Sequence, residues 1–325
     1  MRRLAFSEGK QGGASEAVAF RAGDLARRYG IVAIIILLCA VFTCLNSVFI
    51  TPANLLNIVR QGSVMIIFSV GITFVLIGGM MDLSVSGVAC VTSMIAAIIM
   101  DNGGAPVLAG AIAILAGMAF GLINGILVTK FKLNAFIVTL ATQNIAAGTT
   151  LLLTNGSAIY NLPRSFVQLG RGYVGFLPVQ VIIMVVTVII SAIILGKTVY
   201  GRRVYATGGN KNVAKLSGIP IDRYIISFFM IASACASLGG LILTARTASA
   251  QPIPSSTMSM DVITSVVIGG TALSGGKGKI VGSMFGALLL TIISNGLTIN
   301  SVSSYWQSVI SALILVLTII MYRND

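Results

Sequence analysis

The chain has 325 residues, 56% of them hydrophobic and only 9% charged, with a mean hydropathy of +1.00. Soluble domains carry about 25% charged residues, so this composition excludes a water-soluble protein and points to a polytopic integral membrane protein. The formal charge of +13 does not indicate a nucleic-acid binder, because the Lys and Arg residues are dispersed in short segments rather than gathered on one face.

Residues 1–28 are polar, rich in Gly, Ser and Ala, and end in Arg27 and Arg28 before an apolar run that opens at Ile31. That run is longer than a signal-peptide core and lacks a small-residue cleavage site. The expectation is a disordered cytoplasmic tail over 1–28, followed by an uncleaved first membrane helix. A spanning helix needs about 20 predominantly apolar residues. Ten segments are candidates: 29–49, 60–79, 83–100, 106–129, 133–153, 178–196, 224–244, 260–274, 280–299 and 303–321. The second and eighth are the least regular, being shorter or interrupted by glycine.

The predicted fold is thus an all-α polytopic membrane protein of about ten transmembrane helices, forming one domain over 29–325. With the N-terminus inside, 17 of the 21 Lys and Arg face the cytoplasm and only Arg60, Arg164, Arg171 and Arg246 lie outside. That is the asymmetry of the positive-inside rule, and it leaves the C-terminus cytoplasmic too. Two outer loops, 154–177 and 245–259, are long enough to receive a partner. The segments ITFVLIGG (72–79) and ITSVVIGG (263–270) share six of eight residues and both run from outside to inside, as an internal duplication would place them.

Two acids stand among apolar sequence. Asp82 follows Gly78-Gly79 and precedes an apolar run, so a helix cap is the favoured reading, with an interface role or ion coupling as the alternatives for an intramembrane carboxylate. Asp261 stands similarly before 262–270. The fifth span carries Asn134, Thr139, Thr142, Gln143 and Asn144. Several amides and hydroxyls on one membrane helix must face protein or a water-filled path, so these residues are candidates for the pathway or a helix interface. Asn124 and Gln61 are weaker candidates of the same kind. Cys39, Cys44, Cys90 and Cys235 all lie in apolar runs, and with no His in the chain no metal spacing is present.

A basic polar island interrupts the apolar runs at 196–223. It holds Lys197, Arg202, Arg203, Lys211, Lys215 and Arg223 against one acid, Asp222, more cations than orientation alone demands. Within it Asn210 is placed to cap a short helix and Gly218 to end it. That puts Val213, Ala214 and Leu216 among cations, a pattern suited to docking. Two nucleotide-like motifs do not hold up. GKT at 196–198 has Ser191 where a phosphate-binding loop needs Gly, and LSGGK at 273–277 sits in a chain with no soluble α/β domain. Energy is therefore expected from a partner, and the chain is read as a transport subunit rather than an enzyme.

Four segments resemble the permease subunit of bacterial ribose/xylose/arabinose/galactoside-type ABC importers. They are GGMMDLSVSG (78–87), NAFIVTLATQNIAAG (134–148), YGRRVYATGGNKNVAKLSGIPIDR (200–223) and VVIGGTALSGGKGKIVGSMFGALL (266–289), within a likeness covering about 31–321. The resemblance implies a type II-like importer permease in the bacterial inner membrane, carrying a monosaccharide or similar small polar solute. Its implied partners are a cytoplasmic ABC ATPase that binds ATP and Mg, a periplasmic or extracellular sugar-binding protein, and a second permease copy, identical or related. No cofactor is implied in this chain and no nucleic acid. The loop 197–223 becomes the coupling loop, with Gly208, Gly209, Asn210, Val213, Ala214, Leu216 and Gly218 as the element that meets the ATPase. The readings set against this are a self-contained ion-coupled secondary transporter, disfavoured by the near absence of intramembrane acids, and an ABC permease for amino acids or nucleosides.

Overall fold

A computed structural model describes residues 30–255 and 257–322; the expected tail at 1–28 and Arg323 lie outside the described residues. Each of the ten expected apolar segments contains a helix. Six of these helices are long and apolar enough to cross a bilayer: α2 (Pro52–Ile77), α4 (Pro106–Thr129), α5 (Ala135–Thr154), α7 (Val179–Lys197), α10 (Ile221–Thr247) and α12 (Ile280–Ile299). Three apolar helices are shorter, α1 (Gly30–Leu45), α3 (Val85–Asp101) and α11 (Met258–Ile268), and α13 (Ser304–Tyr322) closes the described chain. Polar segments add α6 (Arg164–Arg171), a two-stranded hairpin of β1 (Tyr173–Val174) and β2 (Leu177–Pro178), α8 (Val199–Gly209) and α9 (Lys211–Leu216).

Local chemistry sets the helix ends. Proline opens α2 and α4 at positions where its missing N–H costs nothing. Asn134 caps α5 by accepting from the Phe136 N–H. At the other end Asn155 stops α5 in the left-handed region at φ 49°, a conformation asparagine tolerates better than most side chains.

Helices α2 and α10 form the centre. Of their most apolar windows 78% and 67% is buried, against 33%, 28% and 33% for α4, α5 and α7. The peripheral helices turn Leu115, Leu152 and Ile189 outward, as helices bathed in hydrocarbon do. The core joins Phe68, Phe74 and Ile77 of α2, Phe228 and Phe229 of α10, and Val262 and Val266 of α11. Phe42 of α1 packs with Phe49, Ile58 and Ile292, which fixes the first helix against α12.

The two similar segments end alike. Gly79 N–H donates to the Leu76 carbonyl and Met80 N–H to that of Val75; Gly270 N–H donates to Val267 and Thr271 N–H to Val266. Gly79 (φ +70°) and Gly270 (φ +86°) are both left-handed, the six-to-one closure of a Schellman turn. The eighth segment, expected to be helical to 274, therefore stops at Ile268. Thr271, Ala272 and Leu273 prolong the apolar run, but the chain there folds back as a loop. Two non-helical stretches, 78–84 before α3 and 248–255 in the segment before α11, meet across the bundle. Ser259 donates from Oγ to the Leu83 carbonyl at 2.8 Å and accepts from the Ser86 N–H at 3.2 Å, while Ser86 Oγ donates to the Ser255 carbonyl at 2.7 Å.

Candidate coupling surface and polar network

The basic island is mostly helical rather than a loop. Thr198 Oγ1 accepts from the Gly201 N–H to start α8. At Asn210 the backbone turns extended (φ −157°), and the Asn210 Oδ1 accepts from both the Asn212 and Val213 N–H groups at 3.0 and 3.1 Å. This cap starts α9. Gly218 at φ +77° ends it, with its N–H on the Lys215 carbonyl and the Ile219 N–H on that of Ala214. Of the three apolar residues expected to share the docking surface, Ala214 does not: it is 2% exposed and anchors α9 on the bundle. Val213 and Leu216 do face out, at 56% and 90% exposure. A leucine so bare, on a short helix that also carries Lys211 and Lys215, is an apolar knob on a basic element.

Between α9, the α4–α5 turn and the 78–84 segment lies a cavity of about 1100 Å³, lined by Met80, Met81, Lys130, Lys132, Lys211 and Lys215 among others. Lys130 pairs with Asp222 across its rim at 3.2 Å. Both side chains are more than half exposed, so the pair contributes little to stability.

The polar residues of α5 divide into distinct environments. Asn134 is the exposed cap of the helix, and Asn144 is exposed on its surface. The other three are tied to the entry into α3, Thr139 and Gln143 directly and Thr142 through Asn124. Thr139 Oγ1 accepts from the Leu83 N–H at 3.1 Å, and Gln143 Oε1 accepts from the Gly87 N–H at 2.7 Å. Thr142 Oγ1 donates to Asn124 Oδ1 at 2.5 Å, Asn124 Nδ2 donates to Ser84 Oγ at 3.2 Å, and Ser84 Oγ donates to Asp82 Oδ1 at 2.6 Å. Non-helical backbone inside a membrane persists only where its N–H and C=O groups find partners, and α5 supplies them. Asn124, the weaker sequence candidate, is fully buried at the centre of this chain.

Asp82 is 1% exposed but is not the cap of α3. That position belongs to Ser84, and Asp82 instead accepts from both the N–H and the Oγ of Ser84. Helix α3 thus begins at Val85, two residues later than expected. Asp261 lies inside the first turn of α11 rather than ahead of it. It borders a cavity of about 330 Å³ that also touches Gln61, Arg246, Thr291, Ser294 and Gln307. The last three escaped sequence reading because a single hydroxyl or amide per helix turn gives no pattern.

Replacing Thr142 by Val is expected to lower the thermal stability of the solubilised protein. It orphans the buried Asn124 oxygen, at a cost of about 1–3 kcal/mol. Asn144→Ala on the same helix should leave the melting temperature unchanged. Equal melting of both variants would remove the network from the fold's supports.

At the opposite end of the bundle the segment between α5 and α7 is tied to the end of α10 and the chain just after it. Arg171 donates from Nε to the Arg246 carbonyl at 2.7 Å and from Nη2 to that of Thr247 at 3.0 Å. Ile159 and Ala250 exchange backbone hydrogen bonds. The Arg60 guanidinium lies 4.7 Å over the Tyr173 ring, a cation–π contact. Three of the four arginines expected outside thus converge on one patch.

Residues 54–319 match the family model described as branched-chain amino acid transport system / permease component. The chain is 38% identical over 290 residues to the ribose import permease protein of Bacillus subtilis, covering 89% of this chain and 90% of that protein. It is 34% identical to the D-allose transport system permease protein of Escherichia coli K12, with 95% and 96% covered. It is 32% identical to the L-arabinose ABC transporter permease protein of Azospirillum brasilense, with 93% and 90% covered. No solved structure matches the chain at a significant level.

Proposed function

Because the chain belongs to the branched-chain amino acid transport system / permease component family, as a membrane-spanning permease subunit of a binding-protein-dependent ABC importer, we propose that it carries a monosaccharide across the bacterial inner membrane. It is a multi-pass transport subunit and not a catalytic enzyme. The substrate reading is supported by near-full-length relatives named for ribose, allose and arabinose, although the family description mentions amino acids.

In this reading the chain crosses the membrane ten times as one domain over 29–325. Both termini and the 196–223 island are cytoplasmic, and the matching turns at 78–79 and 269–270 mark two duplicated halves. The chain binds no nucleotide; ATP and Mg sit on a separate ATPase. The observation that carries the mechanism is α9. Its apolar tip, Leu216, stands bare in water while Ala214 and the Asn210 cap hold the helix rigid, the form of a knob that fills a partner's socket. The ATPase receives that knob, with Asn210, Val213 and Gly218 shaping its presentation, while Gly208 packs inward against the Ile77 carbonyl. The binding protein meets the opposite face at the Arg60, Arg171 and Arg246 patch, and a second permease copy completes the pathway beside the exposed face of α5 that bears Asn144. Thr139, Thr142 and Gln143 act by holding the chain between α2 and α3 in shape, and Asn134 by capping α5. Asp82 and Asp261 serve as internal turn and interface acids.

Proteoliposomes holding the permease with its ATPase and loaded binding protein should take up labelled pentose or hexose only when ATP is inside the ATPase compartment. Uptake by the permease alone under a proton or sodium gradient would sink the importer reading. Uptake of leucine in place of sugar would sink the substrate.

A further inference from the structure

Three Gly-Gly pairs, far apart in sequence, meet at the base of the coupling element. Gly78-Gly79 ends α2, Gly208-Gly209 ends α8, and Gly275-Gly276 lies in the loop between α11 and α12. The Gly276 N–H donates to the Ile77 carbonyl at 2.8 Å. A methyl group on Gly208 would overlap that same carbonyl oxygen and lie 2.8 Å from the Gly276 nitrogen. One on Gly275 would lie 2.7 Å from the Gly79 Cα and 2.8 Å from the Gly208 oxygen, and one on Gly276 2.7 Å from the Gly209 Cα. Gly79, Gly275 and Gly276 are also left-handed, at φ +70°, +87° and +73°. The contact is backbone on backbone, which only residues without a Cβ permit. Two side-chain bonds flank it: Tyr205 donates from its hydroxyl to the Gly278 carbonyl at 2.8 Å, and Lys211 Nζ approaches Met80 Sδ at 3.9 Å.

We propose that this junction is the fixed point through which a displacement of α9 enters both similar halves of the bundle at once, with Gly208 and Gly276 as positioning residues for coupling. The inference rests on α9 being the ATPase seat. Its physical content is stiffness. Contacts between side chains absorb small movements by changing rotamer, whereas peptide groups in direct contact have no such slack. A shift of α8 must therefore move the end of α2 and the α11–α12 loop together. The loop LSGGK at 273–277, which in sequence resembled a nucleotide motif, supplies the third face of the junction.

Gly208 and Gly209 offer a matched test. Both sit in α8, and a methyl group on Gly209 meets nothing within 4 Å. In the reconstituted importer, Gly209→Ala should behave as the unmodified protein. Gly208→Ala should still bind the ATPase, but stimulation of hydrolysis by the loaded binding protein should fall at least about tenfold, the scale of overpacking a tight contact. Undiminished stimulation in Gly208→Ala, equal impairment in Gly209→Ala, or loss of ATPase binding in Gly208→Ala would each overturn the junction. Should Gly208→Ala fail to accumulate, Tyr205→Phe removes only the hydroxyl on the Gly278 carbonyl. It should reduce stimulation about threefold or more, and an unchanged value overturns the proposal. Failure of the α9 reading itself registers separately, as ATPase retained by Leu216→Asp.

Discussion

Leu216→Asp, alone or with Val213→Asp, is expected to cut ATP-driven uptake at least about a hundredfold while the permease still reaches the membrane. Burying a leucine side chain is worth about 1.5–3 kcal/mol, and central apolar residues of an interface commonly carry 2 kcal/mol or more. Aspartate forfeits that gain and adds a carboxylate that must be desolvated without a partner. The permease itself loses nothing, because Leu216 is 90% exposed and α9 is held by the Asn210 cap and the buried Ala214. Two measurements decide it: the amount of ATPase that co-purifies with the permease, and uptake by the assembled importer. ATPase retention and uptake at the unmodified level would exclude α9 as the docking element.

The apolar helices were legible because hydrocarbon imposes a simple rule on composition: each of the ten apolar runs contains a helix, six of them long and apolar enough to cross a bilayer. Where the rule ran out, backbone chemistry decided. The run from Val262 through Leu273 is apolar throughout apart from small and hydroxyl residues, yet Gly269-Gly270 turns the chain five residues before the expected end. The same Gly-Gly sequence ends α2, so the signal was present as a repeat before it was recognisable as a stop. The island read as a loop because its cations mask helical periodicity, although its cap at Asn210 and its end at Gly218 followed from residue type.

The polar residues of α5 show a different limit. Sequence says that Thr139, Thr142 and Gln143 must face protein or a water-filled path, but their partners include the peptide N–H groups of Leu83 and Gly87. Backbone donors freed by a break in a distant helix leave no trace in periodicity. The converse holds for α9, where everything needed to form the helix lies within ten residues. Local features were therefore readable, and those created by tertiary approach were not.

One tertiary approach did have a sequence signal. Ala109, Ala113, Gly117, Gly121 and Gly125 recur every fourth residue along α4, and all are buried, the small-residue stripe that lets membrane helices touch. The partner is α10. A methyl group on Gly121 would strike the Phe229 carbonyl, and one on Gly125 would lie 2.6 Å from the Ile226 Cα. Lipid tails are as apolar as the helix surfaces, so no hydrophobic force compensates for a lost fit. Gly121→Leu should push α4 from α10 along the whole stripe, costing about 3 kcal/mol or more, and most of the solubilised protein should lose its single sharp elution peak. Gly121→Ala should show the same defect in milder form, even though alanine favours helix by about 1 kcal/mol. Gly110→Ala on the same helix meets only the Leu241 Cδ1 at 3.9 Å, an ordinary contact, and should be at least as stable as the unmodified protein. If Gly110→Ala and Gly121→Ala melt together, close packing of α4 on α10 is not what holds the bundle.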